Sequence, residues 1–157
     1  MTRVLGIDPG TATTGYGVIG SKKGRLKLVA YGCIRTPAKR PLPERLSEIY
    51  LDLTKLIKKY RPSVIGVESL FFFKNVTTAI SVAQARGIVL LAAEQNKIKL
   101  VEFTPLQVKN SLTGYGKADK KQVQYMVKTL LNLKSTPKPD DAADALAIAI
   151  CAAGSKY

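Results

Sequence analysis

An α/β domain is expected from three features of the sequence. The N-terminal part carries three short apolar runs separated by turn residues, the mark of an antiparallel meander. The middle alternates segments of helical periodicity with short apolar runs. The C-terminal part is helical and closes on an alanine-rich stretch, Asp140–Ala153. At 157 residues, with no internal repeat or linker, the chain can bury one core, so residues 1–157 are expected to form one domain.

Arg3–Asp8 reads as a buried strand because Val4, Leu5 and Ile7 crowd together, and Pro9-Gly10-Thr11 is a turn. Thr14–Gly20 is a second strand, in which Gly15 and Gly17 tolerate the close approach of another backbone. Ser21-Lys22-Lys23-Gly24 turns the chain into a third strand, Arg25–Thr36, broken at Gly32. Leu42, Leu46, Ile49, Tyr50, Leu53, Leu56 and Ile57 then give a helix one apolar face. Pro43 suits its first turn and Pro62 stops it. Ser63–Glu68 is a short apolar strand ending on an acid. Residues 76–95 form a helix apolar almost all round, with small residues at Ala79, Ala83, Ala85 and Gly87. Such a helix is either central in the core or part of a subunit contact. Lys99–Phe103 is a strand and Leu106–Leu112 a short helix. Val123, Met126, Val127, Leu130 and Leu131 mark another helix, and Pro137 and Pro139 precede the last one. The apolar stretches read as too short or too interrupted to span a bilayer, and no cleavable signal is expected before Val4.

Lys and Arg number 25 against 11 Asp and Glu, a net charge of +14, and histidine is absent. That absence excludes a Ser–His–Asp triad, a Cys–His pair and any His-ligated zinc or iron. Catalysis would have to use carboxylates, lysines, hydroxyls or a metal held by oxygen. Cys33 and Cys151 match no zinc spacing. Two scattered cysteines fit a reducing compartment, and a cytoplasmic location is expected. The positive excess points to a polyanion, nucleic acid first and an anionic membrane surface second; the plainer reading is a generally basic, solvated surface. Residues 20–61 carry twelve Lys and Arg against three acids, and residues 105–134 carry six against one.

In so basic a chain each acid is informative. Glu44, Glu48 and Asp52 lie four apart on a helix, an ordinary solvated row. Asp8 and Glu68 each end a buried strand, and Asp141 and Asp144, three apart, share one helix face. Plainer roles exist: Asp140 as an N-cap, Asp141 as a complement to the helix dipole, Asp8 and Glu68 as acceptors for turn amides. Four acids at strand ends and on an apolar helix nevertheless need compensation, through raised pKa values or a bound cation. Carboxylate-only ligation suits Mg²⁺ or Mn²⁺. Two such ions about 3.5–4 Å apart can activate water and stabilise the leaving oxygen in phosphodiester cleavage. A basic surface around an acidic metal centre is the profile of a nuclease.

Several segments in order resemble the RuvC family, the bacterial Holliday-junction resolvases. They are Gly6-Ile7-Asp8-Pro9-Gly10, Thr14-Gly15-Tyr16-Gly17-Val18-Ile19, Gly32-Cys33-Ile34-Arg35-Thr36 and Glu68-Ser69-Leu70-Phe71-Phe72-Phe73-Lys74-Asn75. Gln84-Ala85-Arg86-Gly87, Gln107-Val108-Lys109, Gln122-Val123-Gln124 and Asp141-Ala142-Ala143-Asp144-Ala145-Leu146-Ala147-Ile148-Ala149 continue the likeness. The resemblance implies a ribonuclease H-like fold, a five-stranded mixed sheet with three antiparallel and then two parallel strands, flanked by helices. It implies a homodimer that nicks two like strands of a four-way DNA junction symmetrically during recombination and repair, working with RuvA–RuvB and without a membrane. By position, Asp8, Glu68, Asp141 and Asp144 match the metal-binding catalytic tetrad; two Mg²⁺ (or Mn²⁺) per site are expected, with Asp8 between them because it ends the central strand. Some members carry histidine where this chain has Asp141. Lys109 and Lys120 match basic residues beside the scissile phosphate, and Phe71 an aromatic used against bases at the junction centre. Lys74, Asn75, Arg86, Lys117 and Lys121 are expected to touch nucleic acid.

Phe71-Phe72-Phe73 also reads as a core segment, with alternate residues buried. Gly114-Tyr115-Gly116-Lys117 lacks the spacing of a P-loop and reads as a turn into a helix start, where Lys117, Lys120, Lys121 and free amides could hold a phosphate. A nuclease acting on another branched or RNA substrate is the serious alternative, and two other classes fit less well. The actin-like and sugar-kinase folds need a second related domain to close their cleft. A junction-binding module without catalysis would have no use for the four acids.

Overall fold

The computed structural model describes residues 1–69 and 75–155. Phe71 and Lys74 lie outside the described residues. Three strands, β1 (Thr2–Asp8), β2 (Thr13–Lys22) and β3 (Arg25–Arg35), pair antiparallel, and the turn between β2 and β3 falls on Lys23 and Gly24. After α1 (Leu42–Tyr60) comes β4 (Val64–Glu68), and after α2 (Val76–Gln95) comes β5 (Lys99–Phe103). Both strands join in parallel, giving the order β3-β2-β1-β4-β5. The chain ends in α3 (Pro105–Thr113), α4 (Lys120–Leu130) and α5 (Asp140–Gly154).

Alternation along each strand divides two cores. Val4, Ile19 and Val64 pack with α3, α4 and α5. Leu5, Ile7, Val18, Ile65 and Val67 pack with Ile49 and Leu53 of α1 and Val89 of α2. Gly6 lies between Val4 and Asp8 on the α5 face, where a methyl group would sit 2.0 Å from the Ala145 carbonyl oxygen. At Gly15 the same addition would sit 2.0 Å from the Asp141 carbonyl oxygen. Helix α5 therefore rests directly on strand backbone.

Helix α1 ends just before Pro62, as expected, with Arg61 turning left-handed (φ 46°) and its N–H donating to Ile57 O at 2.8 Å. Three expectations are corrected. Strand β3 is not broken at Gly32, because Tyr16 on the paired strand packs across the glycine, its hydroxyl 2.8 Å from where a methyl group would stand. Asp140 is not an N-cap, since Pro139 holds that position and α5 starts at Asp140 itself. Helix α2 is long and apolar enough to cross a bilayer by those measures, against the sequence reading; here it packs Ala85, Val89, Ala92 and Ala93 into the core.

Candidate active site

The site follows from register. Asp8 and Glu68 are the last residues of the neighbouring parallel strands β1 and β4, and both strands present the α5 face at alternate positions. Because α5 lies against Gly6 and Gly15, its first turns come down onto the end of β1. Carboxylate oxygens of Asp8, Asp141 and Asp144 all lie within 4.8 Å of one another, each residue half-buried. Glu68 lies next to this group and shares a cavity of about 240 Å³ with Asp144, Lys109 and Lys120. The structure thus brings all four acids and both lysines to one end of the sheet.

The electrostatics are those of a crowded acid cluster. Burial first, then Asp144, Asp141 and Glu68, push the Asp8 carboxyl up to about 8. Glu68 and Asp144 are also raised, again by burial first. Lys120 Nζ lies 3.1 Å from Asp140 and 3.6 Å from Asp144. Its ammonium would be lowered by burial, but Asp140 and Asp144 outweigh that and raise it. Asp140, freed from capping, holds Lys120 over the site and is itself lowered by it.

The remaining predicted contacts divide. Asp119 caps α4 and accepts from the Gln122 amide at 2.8 Å, so the anticipated free amides at this helix start are partly taken and a carboxylate stands there. Lys117 and Lys121 flank that start, and Lys121 lines a separate groove with Tyr115 and Tyr125. The Asn75 side chain caps α2, accepting from the Thr77 and Thr78 amides at 3.0 and 3.4 Å. Arg86, with its side chain 16 % exposed, pairs with Glu102 of β5.

Three groups were not singled out from sequence. Gly15 pairs with both Asp8 and Cys33, so Cys33 stands two strands from Asp8 on the same face, its sulfur near the Ala142 amide. The turn after Asp8 is closed by the buried Thr14, whose hydroxyl donates to Gly10 O at 2.7 Å. Thr11 and Thr36, also buried, tie that turn to other elements: Thr11 Oγ1 donates to Ser81 O of α2 at 2.8 Å, and Thr36 Oγ1 to Thr11 O at 2.6 Å. Arg45 of α1 donates to Thr36 Oγ1 at 2.9 Å. A run of threonines around a turn was the available signal.

A ribonuclease H-like α/β domain with carboxylates from the ends of its two central parallel strands and from α5 gathered at one place defines the class: an acidic centre whose oxygen donors suit a metal ion. The family model described as crossover junction endodeoxyribonuclease RuvC matches residues 4–152, and the chain belongs to that family. It is 59 % identical over 152 residues to the crossover junction endodeoxyribonuclease RuvC of Desulfitobacterium hafniense, covering 97 % of this chain and 92 % of that protein. Identity to the Rubrobacter xylanophilus protein of the same name is 57 %, covering 97 % and 85 %. A solved structure of T. thermophilus RuvC in complex with Holliday junction substrate superposes with a TM-score of 0.92 at 36 % identity, covering 96 % of this chain and 92 % of that one.

Proposed function

We propose that this chain is a divalent-metal-dependent endonuclease that resolves four-way DNA junctions by paired nicks, leaving 5′-phosphate and 3′-hydroxyl ends. The observation that carries this reading is the convergence of Asp8, Asp141 and Asp144 within 4.8 Å, beside Glu68, Lys109 and Lys120, in a chain of net charge +14. Family membership and the likeness to a junction-bound relative support it.

The donor set is all oxygen, and burial together with repulsion from Asp144, Asp141 and Glu68 raises the Asp8 carboxyl to about 8, so the residues fit Mg²⁺ or Mn²⁺. Four carboxylates supply enough oxygens for two ions. Bound there, the metal would provide activated water and charge stabilisation for in-line displacement at phosphorus. The protein's own part is orientation and charge. Asp8 is fixed by a turn that Thr14 and Thr11 hold. Lys120, steered by Asp140, and Lys109, beside Glu68, set positive charge where a phosphate would enter and where negative charge grows in the transition state.

Two cuts on a two-fold substrate call for a two-fold protein. The surface favoured for a second copy is the outer side of α2, where Val76, Ile80 and Leu91 are 69, 54 and 46 % exposed and Gly87 leaves open space.

The test is Mg²⁺-dependent cleavage of matched junction, duplex and RNA–DNA hybrid substrates. Symmetric nicks confined to the junction are expected. Equal cutting of all three would reduce the protein to a general nuclease, and no cutting of any would remove the reading.

A further inference from the structure

The end of the sheet opposite the acids is lined with cations, and no part of the proposed chemistry uses it. Arg3 stands near the start of β1 and Asp8 at its end, so the two lie about 17 Å apart at roughly 3.3 Å per residue. In the β2–β3 hairpin Lys22, Lys23, Arg25 and Lys27 are all exposed. Register gathers them. Gly20 pairs with both Arg3 and Lys27, and Lys22 pairs with Arg25 two residues further on, so four cations point to one face. Arg3 donates to Tyr60 O at 2.9 Å, which brings the end of α1, with exposed Lys58, Lys59 and Arg61, beside them.

A solvated face with ordinary pairing would carry acids. Among the described residues none of these cations is in an ion pair, and Glu94, the acid near this end, is taken by Lys97 at 2.9 Å. Lys58 and Lys59 answer the negative end of the α1 dipole. The hairpin cations have no helix to serve. Their mutual repulsion in the free protein is relieved by a polyanion.

We propose that this pole is a second site for the sugar–phosphate backbone of duplex DNA, separate from the cutting site. The inference rests on the junction-nuclease reading above. The chemistry of the surface selects the ligand. An acidic protein partner would need aromatic or aliphatic anchors at the centre of its contact. Among the described residues, Met1 is the exposed large apolar side chain at this end. Phosphate contacts need charge without anchors and read no sequence. Three strands at about 4.8 Å spacing give a front roughly 10 Å wide, which the end of α1 extends, enough for several phosphates. The duplex is either an arm of the junction being cut or a separate molecule.

The experiment uses the full chain carrying Lys22→Gln, Lys23→Gln, Arg25→Gln and Lys27→Gln. A second variant, Lys58→Gln with Arg61→Gln, reaches the same surface without touching the hairpin. Junction binding is followed over a salt series with long-armed and short-armed substrates. Removal of two to four phosphate contacts should flatten the slope of log affinity against log salt by about 2–4, and weaken long-arm binding roughly tenfold at low salt. Cutting at saturating enzyme should stay at the wild-type rate. In a second arm, protein saturated with unlabelled junction is titrated with labelled duplex. Uptake that both variants lose identifies a separate duplex, whereas a defect confined to long arms identifies the arm of the same junction. Wild-type slopes for both variants on every DNA would overturn the proposal. So would an equal loss in a control carrying Lys39→Gln, Lys128→Gln and Lys134→Gln, because the effect would then be net charge alone. Failure of the wild-type chain to cut junctions would instead sink the proposed function, and the two failures are read separately.

Discussion

Helix α5 covers one face of the sheet with backbone against backbone, while α1 and α2 cover the other through full-sized aliphatic side chains. On the α5 face, Gly6 and Gly15 leave no room for a methyl group beneath the helix. On the other, Leu5, Ile7, Val18, Ile65 and Val67 stand between strand and helix. An aspartate side chain is short, so two of them from different layers meet only where the layers nearly touch. The close face can therefore assemble Asp8 with Asp141 and Asp144. The padded face gains more apolar burial and carries structure: its Arg86–Glu102 pair lies at the same end of the sheet, but across it from the acids.

The largest expected effect separates chemistry from stability. Asp8→Asn should lower junction cutting on the order of 10³-fold or more, because in the proposed mechanism several kcal/mol of metal-assisted transition-state stabilisation depend on that carboxylate. Junction affinity should be unchanged or tighter, since one repulsive charge is gone. Thermal stability without metal should move the other way. The Asp8 carboxyl titrates near 8 in the folded protein and near about 3.9 when unfolded. Between those values the folded state holds a proton that the unfolded chain has lost, so stability falls as pH rises through the window. Melting in chelator from pH 4 to pH 9 should show that fall in the wild type and a shallower one in Asp8→Asn. Leu53→Ala on the padded face should reverse the pattern, losing about 2–5 kcal/mol of stability with the cutting rate per folded molecule retained. Comparable cutting rates for wild type and Asp8→Asn would break the comparison at its root.

The next effect tests closeness itself. Gly15→Ala adds one methyl group against the Asp141 carbonyl oxygen, a backbone atom that cannot swing aside. The helix start must lift. A loss of about 1–3 kcal/mol or more is expected, together with a higher Mg²⁺ requirement for cutting, because Asp141 and Asp144 move away from Asp8. A protein that melts earlier yet keeps the wild-type Mg²⁺ dependence would show that the close packing serves stability alone.

Much of this arrangement was legible beforehand, and the exceptions have reasons. The bounds of α2 and β5 are those expected, because Asn75 starts the one and short apolar runs mark the other. That the four acids come together was legible because carboxylates ending buried strands, or lying on an alanine-rich helix face, need compensation. Asp140 was misplaced because a cap and a first-turn residue look alike in sequence; only the docking of α4 against α5 shows that it holds Lys120. Gly6 was passed over because its neighbours Leu5 and Ile7 read simply as a buried strand. Thr11, Thr36 and Ser81 lie 25 and 70 residues apart, and no local pattern predicts contacts of that range.

The smallest expected effect lies where the two faces are tied together. Thr11, just beyond Asp8, donates to Ser81 O on α2 and accepts from Ser81 Oγ at 2.9 Å, so the turn that follows the Asp8 strand end is held by a helix of the opposite layer. Thr11→Val keeps the volume and removes the hydroxyl. A buried carbonyl and hydroxyl lose a partner, at a cost of about 1–3 kcal/mol. If the tie only supports the fold, cutting should follow the folded fraction and nothing more. If it positions Asp8 against the repulsion of Asp141 and Asp144, the fully folded variant should still cut several-fold more slowly and need more Mg²⁺, with junction affinity unchanged. Thr11→Ser, which keeps the hydroxyl, should restore both. Single-turnover cutting at a temperature where all three proteins are folded, over a Mg²⁺ series, makes the distinction. Wild-type rates and Mg²⁺ dependence for Thr11→Val under those conditions would leave the padded face without any part in the chemistry.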